Sequence, residues 1–253
     1  MVLQFALGKF YGIDSFIELL IIIVSGIISY YSHRIYRLIN EKNYKFFSLA
    51  FLAIAVAFFF KILSNLTILH RIKVRGINFV AIVLSQPEYS QILNFLSYIL
   101  YKLFMVAGFL ILFFIVTRTD KKREMALFLY MGFIAVLFSI YFNFVFHLTL
   151  VFILFSLTIH YYNNYLQGKS QNRLLVFIAF LIMLVSNLFF LFSDIHGLFY
   201  LAGEALLLIA FSSLLLNQIK IRNKKSANLS KKNEQKKNKA RDYKRYSGSI
   251  KKQ

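Results

Sequence analysis

Seven blocks of apolar residues recur along this chain of 253 residues, at approximately 15–33, 46–66, 94–117, 125–142, 145–163, 174–193 and 197–217. Each approaches the roughly 20 residues that a helix needs to cross a hydrocarbon core about 30 Å thick. No other feature restricts the fold as strongly. The blocks account for a hydrophobic content of 59% and a mean hydropathy of +0.64, where a soluble domain holds about 45–50% apolar residues. The expectation is an all-α, polytopic membrane protein: a seven-helix transmembrane domain over residues 1–218, followed by a basic tail over 219–253.

The fourth and fifth blocks meet near Tyr141–Phe146 without an intervening Gly or Pro. Read as one helix, residues 125–163 would extend about 58 Å at 1.5 Å per residue, about twice the hydrocarbon thickness. A hairpin is therefore the better reading. The opening residues lack a basic segment, an apolar run and a small-residue cleavage site in that order, so no cleavable signal peptide is expected.

Charge sets the threading. Lys and Arg concentrate in the cytoplasmic loops of membrane proteins. With the N-terminus outside, the inner loops hold Arg34, Arg37, Lys42 and Lys45, then Arg118, Lys121, Lys122 and Arg123, then Lys169 and Arg173. The outer segments hold only Lys9, Arg71, Lys73 and Arg75. The tail adds 14 Lys and Arg over residues 217–253, against Glu234 and Asp242. The expected topology is N-terminus outside and C-terminus inside, in the cell membrane. Arg71, Lys73 and Arg75 alternate with Ile72 and Val74, a period that suits a short strand, although an interfacial segment with snorkelling basic side chains is the simpler reading.

The tail has too few apolar residues to bury a core and is expected to be disordered in isolation. Apart from the bilayer itself, its expected partners are anionic lipid headgroups or a cytoplasmic partner. Nucleic acid phosphates would attract it too and are not favoured.

Ionisable groups within a span are costly and usually face the bundle interior or water. In the assigned orientation Glu18, Lys61, Lys102 and Glu204 fall towards the outer side, with Asn187, Asp194 and His196 at similar depth. Asn65, Asn143 and His147 are outer-half positions as well. On the first span Glu18, Ser25, Ser29 and Ser32 form one stripe; on the second, Ala50, Ala53, Ala57, Lys61 and Ser64 form another. Two acids and two lysines at one depth invite pairing: Glu18 with Lys61 and Glu204 with Lys102, or with the partners exchanged. The seven residues Glu18, Lys61, Lys102, Asn187, Asp194, His196 and Glu204 are the candidate lining of an outward-opening polar pocket. Structural ion pairs, or side chains that never meet, are the simpler alternative.

Signs of catalysis are weak. There is no cysteine, and no phosphate-cradling glycine loop, nucleophile elbow or HExxH spacing. His147, His196 and Glu204 suit zinc by chemistry, but their spacing does not support a metal site, and no cofactor is expected. The seventh span has no lysine for a retinal Schiff base.

Residues 28–62, ISYYSHRIYRLINEKNYKFFSLAFLAIAVAFFFKI, and 196–211, HGLFYLAGEALLLIAF, together resemble uncharacterised seven-span archaeal membrane proteins. More distantly they resemble the seven-helix N-terminal membrane regions of sensor histidine kinases. The resemblance implies a sensor-like bundle, here without a kinase domain, and carries no functional residue across. A non-enzymatic sensor-like or ligand-binding membrane bundle is the leading expectation. A transporter or channel using the intramembrane charges is the alternative, and an intramembrane metal-dependent hydrolase comes third.

Overall fold

The computed structural model describes residues 13–71, 87–117, 122–193 and 195–220, with side chains described from 13 to 66, 91 to 117, 123 to 193 and 195 to 220. Within these residues the chain forms seven helices and no strands: α1 (Ile13–Ile39), α2 (Lys42–Arg71), α3 (Pro87–Thr117), α4 (Lys122–Phe138), α5 (Asn143–Gly168), α6 (Gln171–Leu191) and α7 (Gly197–Lys220). Six of them, all but α4, are long and apolar enough to cross a membrane, α2 over Lys42–Leu66 and α3 over Gln91–Thr117. With 17 residues, α4 reaches about 25 Å, at the lower limit for a span. The protein is thus a multi-helix protein of membrane type.

The helices outrun the apolar blocks that mark them, because their ends stay helical after hydrophobicity has fallen away. Arg34 and Arg37 lie within α1 and Lys45 within α2. Arg71 closes α2, so helix replaces the start of the alternating Arg71–Arg75 stretch; the rest of that stretch lies outside the described residues, as do Lys9, Arg118, Lys121, Asp194 and the tail from 221 onward.

Two loops turn on left-handed residues. Asn40 (φ 57°) ends α1, its N–H bonding Tyr36 O at 2.7 Å. Lys169 (φ 37°) ends α5, its N–H bonding Tyr165 O at 2.7 Å. These are the αL caps that satisfy terminal carbonyls. Ser170 then caps α6, accepting from Arg173 N–H.

Side-chain bonds fix the helix directions. Ser29 and Ser48 clasp each other's backbone: Ser29 Oγ donates to Ser48 O at 2.8 Å and Ser48 Oγ to Ser29 O at 2.9 Å. This joins the end of α1 to the start of α2. Gln218 reaches Ser32 at 3.4 Å, placing the end of α7 beside the end of α1. At the other end Asn65, late in α2, meets Glu18, early in α1.

The buried face of α1 includes Asp14, Glu18, Ile21, Ser25, Ile28, Ser32 and Ile35. Its alternating steps of four and three are the repeat by which one helix keeps the same seam against its neighbours. Along α2, Ala50, Ala57 and Ser64 are buried, small side chains that let helices approach closely; Ser64 bonds Asn94 of α3 at 3.0 Å. Phe211 of α7 fills the space over α2, edge-on to Phe51 and Phe58 with ring centroids 6.2 Å away in both cases. Large apolar side chains such as Phe16, Phe59, Phe133 and Phe152 face outward, which suits contact with lipid.

The α4–α5 hairpin is confirmed, but earlier than the sequence places it. Residues 139–141 turn, so α4 ends at Phe138 and does not run to 142. The link has neither Gly nor Pro, and side chains of α3 hold it. Lys102 Nζ donates to Ser139 O at 3.0 Å and Tyr98 Oη to Asn143 Oδ1 at 2.9 Å. Tyr98 and Lys102 are one helical turn apart and so share a face.

Candidate functional site

One lysine joins two acids from opposite ends of the chain. Lys61, on the buried face of α2, forms an ion pair with Glu18 of α1 at 3.1 Å and a second with Glu204 of α7. Asn65, one turn along α2, donates to both oxygens of Glu18 at 3.1 Å. Both glutamates are fully buried, and the lysine side chain is 11% exposed. Among the described residues the second oxygen of Glu204 is buried with no hydrogen-bond partner, as is Oδ1 of Asp14, one turn before Glu18.

Aromatic rings frame the ammonium. Nζ of Lys61 lies 5.2 Å from the ring centroid of Tyr200, 5.6 Å from those of Phe58 and Tyr101, and 5.7 Å from that of Phe190. Ring faces attract a desolvated cation, so four rings from four helices help to offset its loss of water. Gly203 makes room for one of them, because a Cβ there would lie 2.8 Å from the Phe190 ring. Ser186 fixes the same turn of α7 by donating to Gly203 O at 2.8 Å. Phe190 also stacks on His147, with centroids 5.1 Å apart; Nδ1 of that histidine is buried without a hydrogen-bond partner.

Of the seven residues expected to line a polar pocket, three meet: Glu18, Lys61 and Glu204. The expected pairing of Glu204 with Lys102 is not what forms. Lys61 serves both acids, and Lys102 forms neither of the ion pairs found among the described residues. It is buried against the end of α4, with its ammonium 4.0 Å from the Tyr98 ring centroid and 5.3 Å from that of Phe146. The carbonyls at a helix C-terminus carry partial negative charge, and this is the partner that Lys102 takes. Asn187 bonds within its own helix, donating to Met183 O at 3.0 Å. His196 is exposed before α7, where Nδ1 accepts from Leu198 N–H at 3.2 Å. Asp194 lies outside the described residues.

The zinc trio is not assembled either, since the described residues contain no group of three His, Asp or Glu placed to share a metal ion. Asp14, Tyr101 and Tyr200 belong around Lys61 although the sequence did not single them out as candidates. Asp14 stands four residues before Glu18 and Tyr200 four before Glu204, the spacing of a shared helix face; Tyr101 carries no such signal.

Taken together, the centre holds two buried carboxylates on one ammonium, drawn from the first, second and last helices. Comparison of the chain with protein-family models, with curated proteins and with solved structures finds no match in any of the three.

Proposed function

We propose that this chain is an integral protein of the cell membrane that binds a ligand or senses a condition at the Glu18–Lys61–Glu204 centre, without catalysing a reaction. All seven helices cross the bilayer in this reading, with the N-terminus outside and the C-terminus inside. The residues from 219 to 253 contact anionic headgroups or a cytoplasmic partner. The sharing of Lys61 carries the proposal. One ammonium between two carboxylates leaves a formal negative charge in a dry site, which is costly. It also gives the lysine two alternative partners on different helices. A centre that adds positive charge from outside, or shifts Lys61 from one acid to the other, changes how α1 and α7 are held together. That is the kind of two-state element a sensor needs.

The test is thermal unfolding of the purified protein in detergent, across the neutral pH range and across sodium, potassium and choline salts. The wild type should be stabilised under one of these conditions, and Glu204→Gln should lose that response. A Glu204→Gln curve merely offset from the wild type would make the centre structural and sink the proposal.

A second reading, transport, draws on one observation. The buried face of α1 is polar along much of its length, through Asp14, Glu18, Ser25, Ser29 and Ser32, and meets buried Gln218 at the far end. Its serines, however, bond to backbone carbonyls, as Ser25 does to Ile21 O and Ser32 to Ile28 O. Cation-dependent stabilisation without flux across proteoliposomes separates sensing from transport.

Topology has its own test, made simple by the absence of cysteine. A single cysteine placed in the tail should react with a membrane-impermeant maleimide only after cells are opened. Labelling in intact cells would reverse the orientation.

A further inference from the structure

Glu18 and Glu204 both touch Nζ of Lys61, which brings their charges within about 6 Å of each other, near enough for one to oppose the other. Both acids are fully buried, yet their surroundings differ. Glu18 accepts from Lys61 and, through both oxygens, from Asn65, and so has the donors that a carboxylate calls for. Glu204 meets Lys61 through Oε1, while its Oε2 is buried with no hydrogen-bond partner among the described residues. A buried acceptor left alone is unusual, and on a charged group it is costly. The vacancy on Oε2 calls for positive charge.

Three kinds of occupant carry such charge. A metal ion needs several ligands, and the described residues place no three His, Asp or Glu to share one. An organic cation is drawn to ring faces, but the four rings here already surround the ammonium of Lys61. A proton needs a single oxygen and no added volume, and it cancels the surplus charge.

We infer that the Glu18–Glu204 pair binds one proton, taken from water onto Oε2 of Glu204 while Lys61 stays charged and holds Glu18. The carboxylate becomes a carboxyl, and no other bond breaks. The last helix is then joined to Lys61 through a neutral group, whereas α1 keeps its ion pair. The inference rests on the reading of this centre as a binding site and names its ligand.

Other ionisable groups stand around the pair. Tyr101 of α3 and Tyr200 of α7 face Lys61, but a tyrosine ordinarily gives up its proton near pH 10 or so, outside the neutral range. Lys102 turns towards α4, and the nearest charge that α6 carries is Arg173 at its other end. Asp14 also has a free buried oxygen, but it lies in the first turn of α1, where the helix dipole favours an acid's charge. His147 of α5 stacks on Phe190, and histidine is the usual side chain to change charge near neutrality. Asp14 and His147 are therefore the controls.

Infrared spectroscopy and thermal unfolding of the purified full chain, between about pH 5 and pH 8, test the site. The C=O stretch of one protonated carboxyl per chain should appear as pH falls. Glu18→Gln and Glu204→Gln should each abolish it, because either change leaves one acid for one lysine. Asp14→Asn and His147→Gln should keep it. Stability of the wild type should fall as pH rises, by up to about tenfold in the folding equilibrium per pH unit, since the folded chain holds a proton that the unfolded chain has lost. Both Gln variants should flatten that slope. Absence of the carboxyl band from the wild type, or its survival in either Gln variant, would overturn the proton site, and its loss from Asp14→Asn or His147→Gln would overturn the assignment to this pair. Stabilisation by sodium, potassium or choline at constant pH, lost in Glu204→Gln and with no carboxyl band, would discard the proton and leave the binding centre standing. Responses to pH and to salt that are identical in the wild type and both Gln variants would discard the binding centre as well.

Discussion

Lys61→Met should destabilise the bundle more than any other single change at the polar centre, by about 3–5 kcal/mol, the range for stranding a buried charge by removing its partner. Two carboxylates lose, at once, the only cation they pair with among the described residues, and both are fully buried. The measurement is unfolding in mixed micelles by heat or by denaturing detergent. The triple change Glu18→Gln, Lys61→Met, Glu204→Gln should recover most of the loss, because removing the stranded charges together removes the penalty. Lys102→Met is the contrast. That lysine holds a carbonyl and no carboxylate among the described residues, so deleting its charge also deletes its desolvation cost. A net change of about 1 kcal/mol or less is expected from the two opposing effects. Equal losses from Lys61→Met and Lys102→Met would contradict the assignment of both acids to Lys61.

Gly108→Ala should be the costliest single-methyl addition, because it strikes the seam where α2 and α3 run closest. A Cβ there would lie 2.7 Å from Ile54 Cγ1 and 3.0 Å from the backbone oxygen of Ala50. Ile54 can change rotamer, but a backbone carbonyl within a helix cannot yield without the two helices parting. Overpacking of this kind costs about 1–3 kcal/mol, and Gly108→Leu should prevent the helices from docking. Gly26→Ala is the matched control, since nothing lies within 4 Å of its added Cβ. There the usual advantage of Ala over Gly in a helix, about 0.5–1 kcal/mol, should leave stability unchanged or raised. If the two alanines behave alike in thermal unfolding, α2 and α3 are not in contact at Gly108.

The contrast between these residues shows what a sequence can disclose about such a bundle. Apolar blocks fix where helices run, because the bilayer sets their length. Spacing fixes which residues share one helix face, so the stripe of Glu18, Ser25, Ser29 and Ser32 was legible and is buried, and of the face of Ala50, Ala53, Ala57, Lys61 and Ser64 all but Ala53 and Lys61, which are partly exposed, are buried. Depth along an axis, however, says nothing about direction across the bundle. Glu18, Lys61, Lys102 and Glu204 fall at similar depths, and only packing decides that Lys61 turns towards both acids while Lys102 turns towards α4. The hairpin at 139–141 was legible as a length argument, but its position was not. The side chains that hold it, Tyr98 and Lys102, lie about forty residues earlier, and no local pattern announces them.

The sharing of Lys61 also bears on how the chain is made. Synthesis proceeds from the N-terminus, so α1 and α2 are complete well before α7. At that stage Glu18 and Lys61 can already pair, with Asn65 donating to both oxygens of Glu18. The lysine need not wait for a counterion delivered more than a hundred residues later. Glu204 arrives last and becomes the second acid on Lys61. The three-residue centre is complete only when the final helix docks.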